Sequence, residues 1–306
     1  MTTLKYYNMI VLSLFDGISC GQIALQRANI AYDRYFASEI NKQSIKVTQR
    51  NYPETIQIGD VQKVSYKDGI LITEKGKFHV GKIDLLIAGS PCQGFSKAGK
   101  ELNFKDERSK LYFEFLRILK ETRPKYFLLE NVKMKSDYSD IITRDLGVKP
   151  ILINSRLVSA QDRKRLYWTN IKNVQQPNDK NVSFQDITPG WFCGCMRGRR
   201  VLNNKRCDYN KDVPLQQYIE CRKDNKTNCL TTVTKDNVAI RTKQRFTKIS
   251  DIEYRYLTPN EYEKLQTVPI DYTIGASDSA RRTMLAEGWT VDVIAHILKY
   301  INLKSI

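Results

Sequence analysis

Over its first half the chain alternates apolar runs of strand length with stretches of helical periodicity. Met9 to Phe15 (MIVLSLF) is almost continuously apolar, Asp16-Gly17 reads as a turn, and Gly21 to Arg27 follows as a helix. The same alternation predicts strands at Tyr35 to Glu39, Thr55 to Val61, Ile83 to Ala88 and Tyr126 to Glu130. Helices are expected from Lys42 and from Ser109 to Thr122. Strands that alternate with helices imply an α/β fold with a mostly parallel sheet covered on both faces. From about Ile171 to Ser250 the pattern stops. Short segments broken by Pro177-Asn178, Pro189-Gly190 and scattered Asn predict a second, smaller and irregular domain. Three helical stretches close the chain. Thr258 to Gln266 opens on the capping signature Thr-Pro-Asn-Glu, and Ser279 to Glu287 follows. In Val291 to Ile301 the residues Val291, Ile294, Leu298 and Ile301 share one face.

Charge sharpens this division. Of 306 residues 41% are hydrophobic, enough for a sizeable core, yet 50 Lys and Arg against 33 Asp and Glu leave a net +17. Such an excess suits a polyanionic partner such as nucleic acid better than a small acidic substrate. Residues 171 to 250 hold 16 of the basic and 7 of the acidic residues, net +9, so the smaller domain is the more strongly basic part. No apolar run of about 18 residues occurs, Asp16 arrives before a signal-peptide core could form, and seven cysteines make no regular framework. A soluble cytoplasmic protein with reduced thiols is expected. Cys193, Cys195, Cys207, Cys221 and Cys229 lack any C-x-x-C pair or histidine among them, which argues for free thiols and no metal.

Ligands of open parallel sheets bind beyond the carboxyl ends of the strands, so the residues just after each apolar run are the informative ones. These are Asp16-Gly17, Glu39, Asp60, Ser90-Pro91-Cys92 and Glu130-Asn131. Glu39 lies about 20 residues past the first turn, where an acid commonly holds the hydroxyls of a cofactor ribose. Gly17 and Gly21 are four apart, so the first turn is not G-x-G-x-x-G. That disfavours a dinucleotide and leaves open an adenosine-bearing cofactor without a cradled pyrophosphate. A cysteine such as Cys92 is most often a small buried hydrophobe. Its place in the Gly- and Pro-bounded loop GSPCQGFS also suits a nucleophilic thiolate. Glu130 reads as a salt-bridged carboxylate or as an acid partner of that thiol. Arg163 and Arg165, in QDRKR, project to the same side of a strand, as a solvated basic face or as part of a site.

Taken in order, these segments resemble the DNA (cytosine-5) methyltransferase family over nearly the whole chain. LSLFDGIS is similar to its first motif, GSPCQGFS to its nucleophile motif, Glu130-Asn131-Val132 to its E-N-V motif and QDRKR to its Q-x-R-x-R motif. Arg255 to Glu261 with Leu265-Gln266, and Gly288-Trp-Thr-Val291, resemble the last two. The departures are Ser19-Cys20 for Gly-Gly, Thr267-Val268 for Gly-Phe, and Trp289 where an Asn is common.

The resemblance implies a Rossmann-like S-adenosylmethionine-dependent methyltransferase fold. Residues 1–170 would form the catalytic and cofactor-binding domain, 171–270 a target-recognition domain, and 271–306 helices returning to the catalytic domain. It implies methyl transfer to C5 of a cytosine flipped out of double-stranded DNA, in a bacterial or phage setting that includes restriction-modification, by a monomer with no obligate protein partner. Cys92 would attack C6, Glu130 would act at the N3 side of the ring, Arg165 would contact O2, and Arg163 would support the site electrostatically. Phe15, Gly17, Ile18, Glu39, Asp60, Pro91, Leu111 and Val291 would hold the cofactor. Gln93, Arg197, Arg199, Arg200, Thr231 and Thr232 would contact DNA, the arginines from a phosphate-binding or base-reading loop at Met196 to Arg200.

Two other readings compete. A transfer RNA cytosine methyltransferase of the same superfamily would carry a Cys-Phe-Thr signature after Glu130-Asn131-Val132, which is absent here. A DNA-binding regulator that had lost catalysis would not need Cys92, Glu130, Arg163 and Arg165 together.

Overall fold

The computed structural model describes residues 9–90, 110–203, 205–244 and 246–303. In chain order the central strands are β1 (Ile10–Leu14), β2 (Arg34–Ser38) and β3 (Ile56–Gln57). A small hairpin unit follows, β4 (Ser65–Lys67), β5 (Ile70–Thr73) and β6 (Gly76–His79), and then β7 (Leu85–Gly89), β8 (Tyr126–Val132), β9 (Ile151–Asn154) and β10 (Lys164–Thr169). The helices among them are α1 (Cys20–Arg27), α2 (Lys42–Asn51), α3 (Lys110–Thr122) and α4 (Ser136–Leu146). The seven-stranded sheet has the order β3-β2-β1-β7-β8-β10-β9. It is parallel from β3 through β8, and β10 runs against both of its neighbours.

Period-two alternation along β1 explains the layering. Met9 and Val11 point into one core with Ile23, Ala24 and Leu25 of α1, whereas Ile10, Leu12 and Leu14 point into another with Phe115 and Ile118 of α3. Both faces are buried, so the strand reads as continuously apolar. The strand expected at Thr55 to Val61 shrinks to two residues, because Asp60 caps a short turn, its Oδ1 accepting from Gln62 N at 3.0 Å. The hairpin at residues 65–79, α4 and β9 had no counterpart among the expected elements.

The segment that reads as irregular is a second sheet. Its strands are β11 (Phe192–Arg199), β14 (Gln216–Cys221), β15 (Val238–Ile240), β16 (Phe246–Lys248) and β17 (Tyr254–Tyr256), antiparallel in the order β16-β14-β11-β15-β17. The two-residue strands β12 (Val201–Leu202) and β13 (Lys205–Arg206) pair beside it. Met196, Ile219, Val238 and Ile240 form its own small core, while Leu230, Ala239 and Leu257 join the large cluster under the central sheet. A single turn, α5 (Phe184–Ile187), precedes it.

The closing helices are α6 (Pro259–Leu265), α7 (Asp278–Glu287) and α8 (Val291–Leu298). The capping box read from Thr-Pro-Asn-Glu is present, Thr258 and Glu261 each accepting from the other's backbone N–H. From α6 the fully buried Glu263 accepts from Asp271 N, Thr273 N and the Thr273 hydroxyl of the loop to α7, and pairs with Arg281 of α7 at 3.1 Å. This loop backs the first turn of the chain, where the Tyr272 hydroxyl donates to the Ile18 carbonyl at 2.7 Å. Glu263→Ala should therefore cost about 3–5 kcal/mol, because the buried Arg281 loses its counter-charge. Urea unfolding measures it, and a loss under about 1 kcal/mol would contradict the assignment.

Candidate active site

A cavity of about 580 Å³ opens at the carboxyl edge of the central sheet, against the loop that follows Asn228 and the turn between α7 and α8. The volume lies in the range of small-molecule and cofactor sites. Phe15, Gly17, Ile18 and Glu39 line one end, Glu130, Arg163 and Arg165 the middle, and Thr231 and Thr232 the side nearest the second sheet.

At the first end the chain turns sharply after β1, with Phe15 at φ 57°, Gly17 at φ 59° and Ser19 at φ 59°. A Cβ added at Gly17 would meet nothing within 4 Å, so the turn faces open space. Glu39, at the end of the neighbouring β2, ties this turn to its own strand. Its Oε2 accepts from Gly17 N at 2.7 Å, and its Oε1 accepts from Ile40 N and Asn41 N. Asp16 sits behind the turn, with Tyr35 donating to Oδ1 at 2.7 Å. Burial pushes its carboxyl up to about 6, against the hydrogen bonds that favour the charged form.

In the middle, the parallel register makes Gly89 the Cα partner of Glu130, and the antiparallel register sets Arg165 opposite Val132. Glu130 is buried with both oxygens engaged: Arg165 Nε lies 3.0 Å from Oε1, and Trp289 Nε1 donates to Oε2 at 3.1 Å. Asn131 Nδ2 donates to Ser90 Oγ at 2.9 Å, which fastens the ends of β7 and β8 together. Arg163, also buried, is a clamp. Its Nη1 reaches the carbonyls of Leu230 and Ala286, and its Nη2 donates to the Gly288 carbonyl at 2.9 Å. Gln161 and Gln266 complete the clamp. Gln161 Nε2 donates to Gln266 Oε1, and Gln266 Nε2 donates to the Leu285 and Gly288 carbonyls.

The two arginines meet at Cys229. Arg163 Nη1 lies 3.3 Å and Arg165 Nη2 3.6 Å from its Sγ. Burial opposes ionising this thiol, but the two guanidinium groups more than offset it and hold its pKa below the ordinary thiol value. Neither Cys229 nor the Gln161–Gln266 contact figured among the expected site residues. The only sequence cue to Cys229 is its place just before Leu230-Thr231-Thr232.

Several expected positions fall elsewhere. Val291 is fully buried in the core and does not line the cavity, because its N–H is spent on the Gln266 carbonyl and α8 turns it inward. The preceding Gly288 and Trp289 line the wall instead. Leu111 packs with the cluster of Leu12 and Phe115, as Phe15 also does, and Asp60 caps a short turn through Oδ1; neither is among the described residues that line the cavity. Of the arginines of Met196 to Arg200, Arg197 and Arg199 lie on β11 and only Arg200 falls in the connection to β12. Arg197 pairs with Asp236 at 2.5 Å and Arg199 with Glu220 at 2.6 Å. Arg200 keeps a buried Nε that has no partner among the described residues. Pro91, Cys92 and Gln93 lie outside the described residues. Among the described residues no helix is long and apolar enough to cross a membrane.

The doubly wound sheet with this site at its carboxyl edge defines a Rossmann-like methyltransferase fold. Solved methyltransferases share it: one from Entamoeba histolytica, EhMeth, superposes with a TM-score of 0.68 at 19% identity over 96% of this chain and 98% of its own. The S. pombe Dnmt2 methyltransferase gives 0.65 at 19% over 95% and 97%. The sequence narrows the class, because the model of the C-5 cytosine-specific DNA methylases matches residues 9–190 and 197–303. The chain belongs to that family. Its relatives include the type II methyltransferase M1.ScrFI of Lactococcus lactis subsp. cremoris, 41% identical over 60% of this chain and 46% of the relative. Another is the orphan methyltransferase M.Rho11sI of Bacillus phage rho11s, 34% identical over 56% and 35%. The matched stretch thus spans less than half the length of each of these relatives.

Proposed function

We propose that the protein transfers a methyl group from S-adenosylmethionine to C5 of a cytosine flipped out of double-stranded DNA at a specific sequence, through a covalent bond between Cys92 and C6. The observation that carries this reading is Glu130. A buried carboxylate held by Arg165 stands at the end of β8, in one cavity with the turn that Glu39 fastens.

The residues at the first end suit the cofactor. Glu39 presents a carboxylate beside an open glycine turn, suited to ribose hydroxyls, with Phe15 and Ile18 alongside. S-adenosylmethionine supplies an electrophilic methyl group on a sulfonium. The protein's task is to make C5 a nucleophile. Addition of the Cys92 thiolate to C6 pushes electron density onto C5 and N3, and Glu130, in its acid form, shares or donates a proton at N3 and so limits the charge on the ring. Arg165, held by Glu130 and Cys229, contacts O2 in this reading. After methylation a solvent base takes the C5 proton, the electrons of that C–H bond re-form the C5–C6 double bond and expel the Cys92 thiolate, and N3 returns its proton to Glu130.

The second sheet and the loop of Thr231 and Thr232 are the part we assign to DNA recognition, with a monomer acting in the bacterial or phage-infected cytoplasm. Arg197 and Arg199 already have carboxylate partners, so their phosphate contacts would require exchange of those partners.

Labelled S-adenosylmethionine incubated with duplex DNA or with transfer RNA tests the function. DNA should take up label as 5-methylcytosine, and bisulfite sequencing should place it in one sequence context. Label confined to RNA, or none in either, would overturn the reading.

A further inference from the structure

We infer that Trp289 is a positioning residue for Glu130, an inference that rests on the function proposed above. Its indole N–H donates to Glu130 Oε2 at 3.1 Å while Arg165 Nε takes Oε1 at 3.0 Å, so two donors from different parts of the chain fix the plane of one carboxylate. An indole nitrogen donates and cannot accept. It therefore holds Oε2 as an acceptor and directs any proton that Glu130 shares with the base to a lone pair that neither donor occupies.

The surroundings are built to bring the indole there. A Cβ on Gly89 would lie 2.5 Å from Trp289 Nε1 and 3.3 Å from Glu130 Oε2, so the missing side chain at the end of β7 is the space the ring edge uses. The backbone just before Trp289 is held from two sides, the Gly288 carbonyl accepting from Arg163 Nη2 at 2.9 Å and from Gln266 Nε2 at 3.1 Å. The clamp around Arg163 thus acts on Glu130 through Trp289. That gives Arg163 a role distinct from that of Arg165, which touches the carboxylate itself.

A ring that merely walled the cavity would predict something different from a ring whose N–H matters. Trp289→Phe keeps most of the ring and removes the donor. It should lower kcat roughly tenfold, the kinetic equivalent of one hydrogen bond to a charged group. KM for S-adenosylmethionine and for DNA should stay within about threefold. In a Glu130→Gln background the same change should add less than about twofold, since coupled residues are not additive. Gly89→Ala displaces the ring without altering it, and its loss in kcat should not add to that of Trp289→Phe.

Overturning the inference takes a kcat for Trp289→Phe within twofold of the parent, an equal loss with and without Glu130, or a rise in KM for S-adenosylmethionine at unchanged kcat. If the parent enzyme itself transfers no methyl group to DNA, the function proposed above fails and this inference with it. A parent that works and a variant that works equally well would overturn the role of Trp289 alone.

Discussion

Glu130→Gln should lower methyl transfer by about 10²- to 10⁴-fold, the usual contribution of one acid-base group, while DNA binding changes by less than about threefold. Glutamine keeps the shape of the side chain, and the site exposes what it loses. Arg165 Nε and Trp289 Nε1 both donate, one to each oxygen. An amide has one acceptor oxygen and one NH₂, so in either orientation an N–H confronts a donor. The variant therefore loses the proton chemistry at N3 and also the alignment of the group that performs it. Single-turnover transfer from labelled S-adenosylmethionine, with DNA binding measured separately, reads both quantities. A loss of transfer below about threefold would remove Glu130 from the reaction.

The catalytic sheet was legible because its strands are buried on both faces. β1 and β7 read as nearly continuous apolar runs, and residues just past β1 and β2 and at the end of β8 line the cavity. The Glu39 position followed from its spacing to the first turn, and the structure closes that spacing with a hydrogen bond to Gly17 N. Arg163 and Arg165 were expected on one side of a strand, and both reach the same sulfur. The second sheet was hidden because β15, β16 and β17 have three residues each and the longer β11 and β14 are rich in Gly, Cys, Gln and Arg, so no period-two apolar signal builds up. The partners of Glu130 and Arg163 were hidden for a different reason. Trp289 is 159 positions from Glu130, Gly288 is 125 from Arg163, and Gln266 is 105 from Gln161. Local periodicity carries no information about such contacts. Trp289 stood out only as a departure from the pattern of the last motif.

The largest effect is expected at Cys92. That residue lies outside the described residues, but the chain leading to it is tied to the site. Gly89 is the Cα partner of Glu130, and Ser90 Oγ accepts from Asn131 Nδ2. Cys92→Ala should abolish turnover. DNA with 5-fluorocytosine at the target has no proton to lose at C5, so the parent enzyme should form an adduct that survives denaturation, and Cys92→Ala should form none. The second thiol of the site makes this a sharp comparison. Cys229 lies between Arg163 and Arg165 with its pKa held below the ordinary thiol value, so thiolate character alone does not single out Cys92. Its ion-pairing arginines stabilise the thiolate where it stands, which lowers its drive to attack carbon. Cys229→Ser should therefore retain the adduct, with a slower rate if Arg165 shifts. An adduct that persists in Cys92→Ala and disappears in Cys229→Ser would move the nucleophile to the loop beside the second sheet and overturn the proposed mechanism.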